Sequence, residues 1–303
     1  MRGSRLRGQA LCGCGMCCEA LRGKAVCSKA ASRPSSCSPS RSPPSRLSKP
    51  VIRICPDLSL WTARLDGRND RRCVDPPPVI MRAGWIMMTQ VEAARIVVET
   101  ITAMAQEGQP LMQRVLPTSD VQFWEHYPDD DARDRETRSR WYYHVHAPGD
   151  RDPAEHGHFH LFLHRSQMDD PAAAMAEPAD GEEAQAFVTH IAGLSIDHQG
   201  IPIAWFTTNR WVTDEFLYSA DTIIAHLDRY NVDATPEDDL VNRFLTAIVA
   251  LYRPELTDLL HERDAALAEL VKVGGPKAYE ADNDVLATCP IDLDAKIEAL
   301  GLL

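Results

Sequence analysis

The chain has 303 residues and a net charge of −12, and that charge is unevenly spread. Residues 1–86 hold sixteen Lys or Arg against five Asp or Glu, a net of +11, whereas residues 87–303 hold sixteen against thirty-nine, a net of −23. An acidic folding region argues against nucleic acid as the main partner, and no apolar window reaches the length that spans a bilayer.

The first 86 residues are rich in Arg, Ser, Pro and Cys, with eight of the nine cysteines before residue 74. They carry no periodic apolar pattern with which to build a core. A metal site on Cys12, Cys14, Cys17 and Cys18 lacks a second ligand pair at finger spacing, and residues 9–21 are too broken by glycines and Glu19 for a secretory signal. Met87 and Met88 directly precede the first folding signal. Residues 1–86 are therefore expected to be a disordered extension, or upstream translation from a misassigned start. Residues 87–303 are expected to form a single domain. Its only cysteine is Cys289, which suits a reducing, cytoplasmic setting.

Thr89-Gln90-Val91-Glu92 reads as a capping box, and Ala94, Val97, Ile101 and Met104 continue one helical face towards Gly108. Residues 127–140, an acidic run followed by alternating charges, read as a solvated loop. Strands follow at 142–146 and 156–164, joined by a turn-rich segment into a hairpin. After an insertion at about 169–183, residues 187–197 and 201–208 read as two further strands around the turn at 198–200. Thr213, Asp214 and Glu215 mark a helix start, as do Thr235 and Pro236 with proline at the first helical position. Leu240, Phe244, Ile248 and Leu251 stack on the latter. Pro254 opens a helix with Leu256, Leu259, Leu260, Leu267 and Leu270, ended by Gly274 and Gly275, and a short helix lies near 293–300. The expected fold is α+β: a small antiparallel sheet of about four strands, including a histidine-rich hairpin, packed with helices.

Six of the eleven histidines occupy even positions between 144 and 164. Strand side chains alternate between faces, so the odd positions Trp141, Tyr143, Val145, Phe159, Leu161 and Leu163 form an apolar face, and the histidines converge on the other, free face. A register in which paired numbers sum to about 302 sets His144 opposite His158, His146 opposite His156, and His160 beside Tyr142. Neutral imidazole is a common ligand for transition metals. His144, His146, His156, His158 and His160 are thus the candidate ligands for a divalent transition metal, zinc or iron first. Glu155 is the nearest carboxylate, as a further ligand or general base. His190 lies on the third strand with its face unresolved. The remaining histidines are given no role.

Where a strand gives way to a helix start, Asn209, Arg210 and Trp211 could bind a small anionic molecule, although Asn209 is equally explicable as a turn former and Trp211 as a core residue.

The run His156-Gly157-His158-Phe159-His160-Leu161-Phe162 resembles the signature of the histidine triad superfamily of nucleotide hydrolases and transferases. By that resemblance His158 would be the nucleophile, with His156 and His160 supporting it. Gly157 replaces an apolar residue of the pattern, and Asp152 stands where glutamine is usual. More broadly, Glu155 to Phe162 (EHGHFHLF) and Phe206 to Thr213 (FTTNRWVT) resemble an uncharacterised bacterial family of unknown function, which implies one domain over most of residues 90–300 and supplies no activity. Three readings stand: a metal-binding domain that would support hydrolysis, a non-catalytic ligand-binding or interaction protein with structural histidines, and a triad-like nucleotide enzyme.

Overall fold

Among the described residues six strands, each antiparallel to its neighbour, follow one another across a single sheet in chain order: β1 Tyr127–Arg133, β2 Arg140–His144, β3 Glu155–His164, β4 Val188–Asp197, β5 Pro202–Thr208 and β6 Val285–Pro290. The computed structural model describes residues 87–118, 120–179, 181, 186–281 and 285–302. The expectations for residues 1–86, including the cysteines at 12–18, lie outside the described residues.

The fold is α+β, with six strands where about four were expected. The two additions are the edge strands. β1 had read as a solvated acidic loop, and its Asp129 and Asp130 are indeed exposed. It pairs with β2 all the same, and Asp131 accepts from Arg140 at 3.1 Å. Charged edge strands discourage pairing with other chains, which is why such a strand resembles a loop in sequence. β6 is short, half-exposed and ends at Pro290, again an edge pattern.

Between β2 and β3 the pairs are Arg140 with Phe162, Tyr142 with His160, and His144 with His158, so the anticipated register holds over these residues, whereas the expected pair of His146 with His156 is not formed because β2 ends at His144. Trp141, Tyr143, Phe159, Leu161 and Leu163 turn inward and are buried. Helix α1 (Gln90–Gln106) starts where Thr89 accepts from the Glu92 amide. Ala94, Val97 and Met104 are buried, whereas Ile101 is exposed. A short α2 spans Leu111–Val115. Helix α5 (Asp239–Leu251) packs on α1 and reaches the sheet through Asn242, whose Oδ1 accepts from the Trp141 indole at 3.1 Å. Its cap is Asp238, three residues beyond the expected start at Thr235, because that carboxylate takes the Leu240 and Val241 amides. Helix α6 (Arg253–Gly274) covers β5 and β6 with Leu256, Leu259 and Leu260 and stops at Gly275, whose φ of +61° suits glycine. The start expected at Thr213 is instead a stop: α3 (Arg210–Thr213) ends at Asp214 with φ +45°, and α4 (Ala220–Ile224) begins after Ser219. α7 is Leu293–Ala299. Among the described residues no helix is long and apolar enough to cross a membrane.

Candidate metal centre

Hairpin pairing brings His144 on β2 opposite His158 on β3, with His160 two residues along on the same face. Their Nε2 atoms converge: 2.6 Å from His144 to His158 and 3.1 Å from His158 to His160. His146, just past the end of β2, brings its Nε2 to 3.3 Å from that of His144. His144, His158 and His160 are buried and close enough together to hold a metal ion. For comparison, tetrahedral coordination at ~2.0–2.1 Å sets ligand nitrogens roughly 3.3 Å apart.

Behind His158 stands Glu155. Its Oε1 lies 2.7 Å from His158 Nδ1, while Ser195 Oγ donates to Oε2 at 2.6 Å and Arg151 forks onto both oxygens at 3.2 Å. The carboxylate therefore faces the back of the imidazole. That is the arrangement by which a carboxylate fixes the tautomer of a ligand histidine and raises its basicity.

The expected free face is in fact covered: His158 is 2 % exposed and His160 1 %. The Phe206 ring stands edge-on to both, with centroids at 4.8 and 5.8 Å, and Arg151 lies over its outer side at 4.4 Å. Phe206 reaches this position by lying flat over Gly193, its cross-strand partner on β4. Tyr142 flanks His160, and the half-exposed Trp124 packs edge-on against His146 at 4.0 Å. His126 stacks on Tyr142 at 3.7 Å and bonds to Asp131 at the β1 edge.

Burial decides the charge state. It pushes His144 down to about 2, helped by repulsion from the neighbouring imidazoles, and His158 down to about 4 against the pull of Glu155. His160 falls well below its ordinary value for the same first reason, and His190 falls to about 3 through burial and the nearby Arg263 guanidinium. Burial alone would raise Glu155, but hydrogen bonds from His158, Arg151 and Ser195 hold it below the usual carboxylate range. At neutral pH the centre is a set of neutral imidazoles beside one carboxylate, the protonation state in which histidine binds metal.

Two bulges alter the membership expected from alternation. Between β3 and β4 the register slips from Glu155–Asp197 to Gly157–Ile196. His156 is the extra residue, and its ring bonds the Tyr143 hydroxyl at 2.8 Å and lies against His198 instead of joining the cluster. Gly157 permits this close approach, since a Cβ there would sit 2.4 Å from the His144 carbonyl oxygen. A second slip, between Leu161–Ala192 and Phe162–His190, reverses the parity of β4. It turns His190 onto the histidine face, where its Nε2 is 2.9 Å from His160 Nδ1 and its Nδ1 is 3.3 Å from Thr208 Oγ1. His190, Ser195, Arg151 and Phe206 thus belong to the surroundings of the centre although alternation alone did not identify them.

Asn209, Arg210 and Trp211 lie elsewhere. Asn209 is fully buried and donates to the Ala278 and Ala281 carbonyls, clasping the segment after α6. The Arg210 guanidinium engages Asp214 and Glu280, so the fork expected to meet an anion is filled by the chain's own carboxylates. Trp211 is exposed at the surface.

Neither a curated protein nor a solved structure matches the chain. A family profile described as a domain of unknown function, DUF6969, matches residues 91–291, about two thirds of the sequence, and the chain belongs to that family.

Proposed function

We propose that this is a metal-binding protein that holds one divalent transition-metal ion on His144, His158 and His160, with His146 at the rim. The observation that carries this reading is the convergence of three buried Nε2 atoms, one of them on a ring braced from behind by Glu155. A solvated histidine face would splay its rings towards water. These rings instead bring ligand nitrogens within 4.8 Å of one another and pack against Phe206, Tyr142 and the half-exposed Trp124. Zinc or iron suits an all-imidazole set. Three protein ligands leave a coordination position in which a water or a carbonyl or phosphoryl oxygen could be activated, so hydrolysis is the chemistry such a centre would support. Glu155 serves here as the group that orients His158, since its oxygens are taken by His158, Ser195 and Arg151.

The competing reading, a metal-free hydrogen-bonded cluster in a binding or interaction protein, draws on the 2.6 Å contact between His144 and His158, which two neutral rings can also make. Elemental mass spectrometry on the untagged full chain decides between them, with a His158→Ala, His160→Ala double variant as the reference. The cysteines before residue 74 are common to both proteins, so only the difference counts. About one equivalent of metal more in the parent supports the proposal. Equal content after reconstitution with zinc and with ferrous iron overturns it.

A further inference from the structure

The hydrogen bonds behind the three ligands run in one direction. Glu155 only accepts, so the proton of His158 sits on Nδ1 and its Nε2 presents a lone pair. His144 Nε2 at 2.6 Å and His160 Nε2 at 3.1 Å both face that lone pair, and each carries its N–H there, since the alternative sets a second lone pair against the first. The Nδ1 of His160 is then an acceptor, served by His190 Nε2 at 2.9 Å. His190 Nδ1 becomes an acceptor in turn, served by the Thr208 hydroxyl at 3.3 Å. Every donor in the line Thr208, His190, His160, His158 points towards Glu155.

A metal ion at the Nε2 cluster breaks this line at one place. His160 must now present a lone pair at Nε2, so its proton belongs on Nδ1. His190 Nε2 must change from donor to acceptor and carry its proton on Nδ1, and the Thr208 hydroxyl must turn from donor to acceptor. All three groups, two imidazoles and a hydroxyl, can exchange donor for acceptor in this way. Resting on the metal reading above, we propose that His190 is a positioning residue whose ring reverses its hydrogen-bond direction to make His160 a ligand. Protons balance: His160, His190 and Thr208 each hold one before and one after, the proton lost at His160 Nε2 being matched by one gained at His190 Nδ1. The structural cause is the bulge in β4, which turns His190 onto this face directly behind His160.

The test uses the full chain with 15N-labelled histidine, stripped with chelator and then loaded with zinc, and reads each ring's tautomer from its nitrogen shifts. His160 and His190 are expected to pass from the Nε2–H to the Nδ1–H form on loading, while His158 keeps Nδ1–H throughout. An unchanged His190 tautomer on zinc binding overturns the proposal. Chelator competition supplies an independent reading. Removing a partner of this kind weakens metal binding about 10- to 100-fold, the loss expected for His190→Leu. His190→Gln, whose amide oxygen can accept from His160 Nδ1, should recover most of it. Zinc affinity in His190→Leu equal to the parent overturns the positioning role and leaves the metal centre standing. A parent that binds no more zinc than the His158→Ala, His160→Ala variant overturns both. If His190→Leu does not fold, the spectra of the parent and the affinity of Thr208→Val, expected to fall by less than in a leucine variant but measurably, decide.

Discussion

Substituting Gly193→Ala tests whether the roof over the histidines depends on one missing side chain. A Cβ at this position would lie 2.1, 2.4 and 2.6 Å from three Phe206 ring carbons. Carbon atoms pack at ~3.5–4.0 Å, so the ring would have to retreat by roughly 1.4 Å. It has little room, because it is 1 % exposed and stands between His158, His160 and the Arg151 guanidinium. Overpacking of this kind costs about 1–3 kcal/mol, which for a region of this size lowers Tm by about 2–4 °C per kcal/mol. Urea unfolding of Gly193→Ala, Phe206→Leu and the double variant measures the coupling. Trimming the ring should relieve the collision, so the double variant should be more stable than the two separate losses predict, by at least ~1 kcal/mol. Additivity within about 0.5 kcal/mol would refute the idea that the alanine acts through Phe206.

Gly157→Ala should be more damaging, about 3 kcal/mol, because its Cβ meets a backbone oxygen 2.4 Å away that cannot swing aside; thermal unfolding checks this, and a loss below 1 kcal/mol would contradict it. Stability should fall in mild acid: His144, His158 and His190 titrate at about 2, 4 and 3 in the folded chain but near ~6.5 when unfolded, so the unfolded state takes up protons first. The stability is complete above about pH 6.5 and declines below it by up to ~1.4 kcal/mol per pH unit for each ring, levelling only near the folded values. Urea midpoints that stay flat from pH 7 to pH 5 would show that these rings are not buried as neutral groups. Arg210→Ala should cost about 1–2 kcal/mol, its carboxylate partners being half-exposed, and should expose residues 275–281 to protease while leaving metal content unchanged. A loss of metal in that variant would place Arg210 in the site after all.

The sequence by itself determined the hairpin, its register and the division of β2 and β3 into an apolar and a histidine face, because a two-residue period and two matching apolar series leave few ways to pair. It also placed the Thr89 cap and the leucine faces of α5 and α6, which are local patterns. What alternation could not carry is parity across a bulge. Two register slips removed His156 from the centre and brought His190 in, and both depend on how β3 fits β4, a match made between residues about thirty to forty positions apart. Burial of the cluster was likewise decided in three dimensions, by a ring on β5 lying over a glycine on β4. The same holds for Arg210. Its carboxylate partner Glu280 lies seventy residues further on, so a cation that reads as a ligand-binding fork in sequence becomes an internal clasp once the chain folds back on itself.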